Sequence, residues 1–278
     1  MRNIKLLIGG MMLVGFSACQ TQQVVKAPQE NVTPYQNLQV RGKIYAAFYQ
    51  QHAAEYQALS LQAYNIAKLR LDEAIATKGN KPLAIVTDID ETFLDNSYYA
   101  VEMAKQGKVW TQDSWANWTE KGVATPLSGA LDFFNYAASK GVTVFYITNR
   151  NEVERKGTVA NLEKYNFPIQ NSNNVIFRTA ESSKENRRLN VSKDYEIALL
   201  LGDSLTDFSS AFDNQKSEKE RAEAVKKLGT EFGKKFIVLP NVGYGDWESA
   251  VFDYKYDLTQ EQRDSILYEV TKEMPTTK

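Results

Sequence analysis

The chain has 278 residues, 43% of them hydrophobic and 24% charged. That is ordinary globular composition, with room for one large α/β domain or two small ones. Its net charge of −1 argues against nucleic acid as a bulk polyanionic partner, and its single cysteine excludes an intrachain disulfide.

The amino terminus reads as an export signal. Arg2 and Lys5 precede an apolar stretch, residues 6–16, that is too short to span a bilayer comfortably. Phe16-Ser17-Ala18-Cys19 resembles a lipobox, with Phe16 where Leu is usual; lipidation would make Cys19 the mature amino terminus. The simpler reading is a plain cleavable signal with an incidental cysteine. Residues 20–39 are rich in Gln, Thr, Pro and Asn and read as a tether.

Residues 41–78 carry apolar side chains at helical spacing, and Gly79-Asn80 stops the pattern. His52, the only histidine, lies within it and suits a surface or packing role. An apolar run, Leu83 to Val86, then ends in Thr87-Asp88-Ile89-Asp90-Glu91-Thr92. Such a run predicts a buried parallel strand. Alternate side chains at its end, Asp88 and Asp90, would share a direction. The bland alternative is a solvated strand end.

Residues 93–125 lack a strong strand and hold Tyr98, Tyr99, Trp110, Trp115 and Trp118, which predicts a helical insertion over the strand end. Its aromatics suit a satellite core, or one of them could stack on a flat substrate group. Thr125-Pro126 predicts a helix start running to Ser139. A second strand, residues 142–147, ends in Thr148-Asn149-Arg150, and a helix is predicted from Glu152 to about Tyr165. Val175-Ile176-Phe177 forms a third strand. Lys184 lies in the cationic stretch that follows, at a predicted helix start. A fourth strand, residues 197–201, ends in Gly202-Asp203-Ser204-Leu205-Thr206-Asp207. Residues 216–227 are a charged, solvated helix. A fifth strand, residues 236–239, leads into a Gly-rich loop with Tyr244 and Trp247, and the remainder is helical.

Strands separated by helices predict an α/β fold, a Rossmann-like parallel sheet with one edge collecting all strand ends. Asp88, Asp90, Thr148, Lys184, Asp203 and Asp207 would converge there. Four acids need a cation, and oxygen-only ligands point to Mg²⁺. The hydroxyl and the ammonium then suit a phosphoryl group.

These four segments, in order and spacing, resemble the four motifs of the haloacid-dehalogenase superfamily. The fuller pattern, from about Gly42 to the end, is similar to its class C acid phosphatases, the bacterial lipoprotein 5′-nucleotidases. The resemblance implies Asp88 as nucleophile and Asp90 as acid and base. It implies metal ligation by Asp88, the Asp90 carbonyl and Asp203, with Asp207 close by. Thr148 and Lys184 would hold phosphoryl oxygens, Asn149 and Arg150 would line the same pocket, and Trp115 and Tyr244 would sandwich a base or phenyl ring. The implied substrate is a small phosphomonoester, either a nucleoside monophosphate or an aryl phosphate. The implied location is the cell envelope, at the outer membrane, held by the lipid anchor; a homodimer is left open.

The expected organisation is a signal peptide (1–18), a lipidated Cys19 with tether (19–40) and a helix packing with the cap (41–79). The α/β core takes residues 80–95 and 126–245, the helical cap 96–125, and a helical segment 246–278. Competing readings are a sugar-phosphate phosphatase of the same superfamily and a non-catalytic surface lipoprotein. A receiver domain also uses Asp, Thr and Lys with Mg²⁺, but is shorter and cytoplasmic.

Overall fold

The computed structural model describes residues 37–271. The predicted signal segment, Cys19 and the tether up to residue 36 lie outside the described residues, as do residues 272–278. The last residues of the predicted tether are helical: α1 spans Leu38–His52, and the backbone N–H groups of Asn37 and Leu38 donate to the Asp264 carboxylate at 2.6 and 2.8 Å. That carboxylate satisfies donors a helix start leaves unpaired.

The single helix predicted over residues 41–78 is two helices. Ala53 is extended, with ψ 123°, and separates α1 from α2, Ala54–Ala76. The break lets the two halves pack on different partners. Helix α1 reaches the start of the insertion, where Gln50 Nε2 donates to Asp95 at 2.7 Å and Gln51 Nε2 to Ser97 at 2.9 Å. Helix α2 lies against the sheet.

Strand β1, Leu83–Thr87, is buried at every position. A two-residue β2, Leu94–Asp95, follows, then the insertion helices α3, Ser97–Lys105, and α4, Gln112–Glu120. Thr125-Pro126 does not start a helix. It is a short strand, β3, antiparallel to β2, and α5 begins later, at Ala130–Ser139. Both ends of an insertion must return to the same place, and the β2–β3 pair closes that neck. The remaining elements are β4, Thr143–Asn151; α6, Arg155–Lys164; β5, Val175–Arg178; α7, Glu185–Asp194; β6, Glu196–Gly202; α8, Glu218–Lys227; β7, Phe236–Val238; α9, Asp246–Val251; and α10, Gln260–Thr271.

The five long strands form one parallel sheet in the order β5-β4-β1-β6-β7, the predicted α/β architecture. Strand periodicity divides the core. Leu83, Ile85, Val144, Tyr146, Leu199 and Leu201 face one side, with Tyr64 of α2 and Phe134 of α5. Ala84, Val86, Phe145, Ile147 and Leu200 face the other, with Val191 of α7 and Phe208. Both faces are covered, which is why these strands read as continuous apolar runs.

Candidate active site

Strands β1 and β6 are parallel neighbours, with Thr87 paired to Leu201. Asp88 and Asp203 therefore leave the sheet at the same rim. The Asp88 N–H donates to Leu201 O at 3.0 Å, continuing the ladder one step beyond the strand. The chain then turns tightly: Phe93 and Leu94 N–H both donate to Ile89 O, at 3.2 and 3.1 Å, and Glu91 sits in the left-handed region at φ 53°. A non-glycine residue there is uncommon and concentrates at functional turns. Ile89 and Phe93 are fully buried and pin the turn.

The 3₁₀ turn after β6, Leu205–Asp207, brings Asp207 back under the strand end. Asp207 Oδ2 accepts the Ser204 N–H at 3.0 Å. A Cβ on Gly202 would lie 2.3 Å from Asp207 Oδ2, so only glycine leaves space for this carboxylate. Asp88, Asp203 and Asp207 can each offer an oxygen within 4.8 Å of the others. Lys184, at the start of α7, is buried; its ammonium pairs with Asp88 and, at 2.6 Å, with Asp207. Asn241 Nδ2 donates to Asp203 Oδ2 at 2.7 Å, and Thr92 Oγ1 to Asp203 Oδ1 at 3.3 Å.

Electrostatics follow from this crowding. Burial, then the charges of Asp207 and Asp90, push the Asp88 carboxyl up to about 7 against the opposing Lys184 ammonium. Burial and the charges of Asp207 and Asp88 hold Asp203 well above the usual carboxylate range. Burial works against the Lys184 ammonium, but Asp207 and Asp88 outweigh it and raise its pKa. Three crowded carboxylates facing one ammonium ionise together only when further positive charge is at hand. An all-oxygen donor set of this kind fits a hard divalent cation.

The other predicted residues divide. Thr148 and Arg150 lie within β4, not beyond it, and their side chains are buried, whereas Asn149 is exposed. The Thr148 hydroxyl accepts the Arg150 N–H at 3.0 Å. Arg150 does not present a free guanidinium: it pairs with Asp90 at 2.6 Å and donates to Thr158 Oγ1 at 2.8 Å. Asp90 is thus held by Arg150 and is not one of the three converging acids, and Asp88 and Asp90 border the same cavity of about 1170 Å³.

Trp115 and Tyr244 line that cavity too. Trp115 is mostly buried in a satellite cluster, edge-on to Tyr99 at 5.0 Å. Tyr244 is 37% exposed, and its hydroxyl donates to the buried Glu91. Trp110, another of the insertion's aromatics, lines the same cavity and is 54% exposed.

Several supporting groups escaped the sequence reading. The Arg187 guanidinium donates to Thr148 O and Asn149 Oδ1, both at 2.6 Å, and Arg188 to Asp207 O at 2.7 Å. Their signal was the cationic stretch after the third strand, which showed charge but no partner. Glu91 and Asn241 sat inside motifs already singled out, yet carried no spacing of their own.

The family model for the HAD superfamily, subfamily IIIB (acid phosphatase), matches residues 4–247. The class C acid phosphatase structure from Bacillus anthracis superposes with a TM-score of 0.81 at 37% identity, covering 85% of this chain and 99% of that one. The same enzyme with tungstate bound gives 0.81 at 38% identity over the same shares. Acid phosphatase 1 from Solanum lycopersicum is 29% identical over 128 residues, 44% of this chain; the match spans half of that relative's length.

Proposed function

This chain belongs to the HAD superfamily, subfamily IIIB, the acid phosphatases, and from that premise we propose that it hydrolyses phosphomonoesters through a phosphoryl group carried on Asp88. The observation that carries the proposal is the meeting of Asp88, Asp203, Asp207 and Lys184 at one sheet rim. Asp88, Asp203 and Asp207, with the Asp90 carbonyl, would hold a divalent cation, and Mg²⁺ suits their oxygen donors. Bound there, the cation supplies positive charge to offset the phosphoryl oxygens and the crowded acids.

The chain's own groups then divide the work. An Asp88 carboxylate oxygen forms a bond to phosphorus as the ester P–O bond breaks, and Asp90 gives its proton to the departing oxygen. In the second half, Asp90 takes a proton from water, and the water oxygen bonds to phosphorus. The Asp88–phosphorus bond breaks, releasing inorganic phosphate. Lys184 steadies Asp88 and offsets its charge. The Thr148 hydroxyl, accepting from Arg150 N–H, has its own proton for a phosphoryl oxygen.

A nucleoside monophosphate or aryl phosphate is the preferred substrate class. Support comes from the cavity's volume, which exceeds what a phosphate alone needs, and from Tyr244 and Trp110 or Trp115 on its walls. Attachment to the cell envelope through Cys19 belongs to the same proposal and rests on the amino-terminal sequence.

The test is p-nitrophenyl phosphate hydrolysis by protein lacking residues 1–19, with and without EDTA, beside Asp88→Asn. We expect turnover to be lost with EDTA, restored by Mg²⁺, absent in Asp88→Asn, and faster at mildly acidic than alkaline pH. Full activity in Asp88→Asn would end the proposal.

A further inference from the structure

We infer that Arg150 and Asn96 form a two-donor clamp that aims Asp90 at the leaving group, so that Arg150 acts through Asp90 and not as a ligand of the phosphoryl group. The inference rests on Asp90 as the proton donor proposed above. Asp90 Oδ1 accepts from Arg150 Nη2 at 2.6 Å, from Arg150 Nε at 3.2 Å and from Asn96 Nδ2 at 2.9 Å. Oδ2 has the Arg150 Nε contact at 3.1 Å. One oxygen is therefore saturated and the other is left for a proton and a substrate oxygen. The division of labour suits a carboxyl that must hold still while exchanging a proton.

Both arms are fixed from behind. The Arg150 side chain is 1% exposed. Its third nitrogen, Nη1, donates to Thr158 Oγ1 at 2.8 Å, and that hydroxyl donates to Glu154 O at 2.8 Å. Asn96 is held at both ends: its N–H donates to Glu91 Oε1 at 2.7 Å, and its Oδ1 accepts the Trp118 indole N–H at 2.8 Å. Trp118 belongs to the insertion and Arg150 to the sheet. The proton donor is thus gripped between the two parts of the fold. A guanidinium committed to one carboxylate by three contacts has little left to offer a phosphate, and its place in β4 fixes where it can reach.

The experiment compares kcat/KM across phosphate esters whose leaving groups run from dinitrophenol through p-nitrophenol and phenol to a simple alkanol. A proton donor matters most for the poorest leaving groups. In Asp90→Asn the rate should fall steeply along the series. Arg150→Met and Asn96→Ala should copy that steepening, losing roughly 100-fold on the alkyl ester and under about 5-fold on the dinitrophenyl ester. Tungstate inhibition should be unchanged in both. Trp118→Phe, which removes only the indole N–H, should steepen the series more weakly.

An equal loss on every ester in both Arg150→Met and Asn96→Ala would overturn the clamp, as would weakened tungstate inhibition in Arg150→Met with no steepening. If Arg150→Met does not fold, Asn96→Ala and Trp118→Phe decide alone. A flat series in Asp90→Asn itself would instead reject Asp90 as the proton donor, and the clamp with it.

Discussion

At the scale of single residues, the site is built from small exclusions. Gly202 is required because the carboxylate of Asp207 occupies the space a Cβ would need. Gly202→Ala must push Asp207 away from Asp88 and Asp203. We expect it to weaken Mg²⁺ binding, measured by calorimetry, by about tenfold or more, the loss a misplaced metal-site contact typically brings. Unchanged affinity would show that Asp207 is not needed near the cation. The same scale explains what the sequence could not show about Arg150. A strand-end Thr-Asn-Arg reads as three pocket donors. Asn149 and Arg150 both border the cavity, but the Arg150 guanidinium is buried and committed to Asp90 and Thr158.

At the scale of elements, the parallel strands were legible because each is a short apolar run, buried on both faces, ending in polar residues. Convergence of Asp88, Lys184 and Asp203 followed from topology alone. The breaks were less legible. Ala53 carries no breaker signal, and the division of α1 from α2 arises from their different packing partners. Thr125-Pro126 looked like a helix start because proline favours the first turn, but the neck of the insertion claimed it as β3. The insertion itself is tied down by a close approach that sequence does not reveal. A Cβ on Gly157 in α6 would sit 2.2 Å from Thr119 O and 2.6 Å from Glu120 Cα, both in α4. Gly157→Ala should destabilise the protein by about 1–3 kcal/mol, the usual cost of overpacking, read by chemical denaturation. Because α4 carries Trp115 and Trp118, KM for aryl phosphates should rise as well. No loss of stability would mean that α4 and α6 do not meet this closely.

At the scale of the whole molecule, the crowded acids make stability depend on pH in an unusual direction. Asp88 is raised to about 7, and Glu91 and Asp203 lie well above the usual carboxylate range, chiefly through burial. A carboxyl whose folded pKa exceeds its unfolded one binds its proton more tightly when folded. Its stabilisation is complete below the unfolded pKa, about 4, and is lost as pH rises through the folded value. In EDTA, the melting temperature should therefore rise as pH falls from about 7 toward 5. Saturating Mg²⁺ should reverse the trend, because the cation favours the deprotonated acids. Melting curves in EDTA that fall steadily over that interval would contradict the assignment.

The account's central claim is that these acids and Lys184 meet in order to carry a phosphoryl group on Asp88. The direct measurement is an acid quench during turnover of a radiolabelled phosphomonoester, followed by peptide mapping. We predict a label on the Asp88 peptide that survives acid and is released by hydroxylamine. Turnover under the same quench that leaves no label on the Asp88 peptide, or a hydroxylamine-sensitive label on a different peptide, would contradict the account.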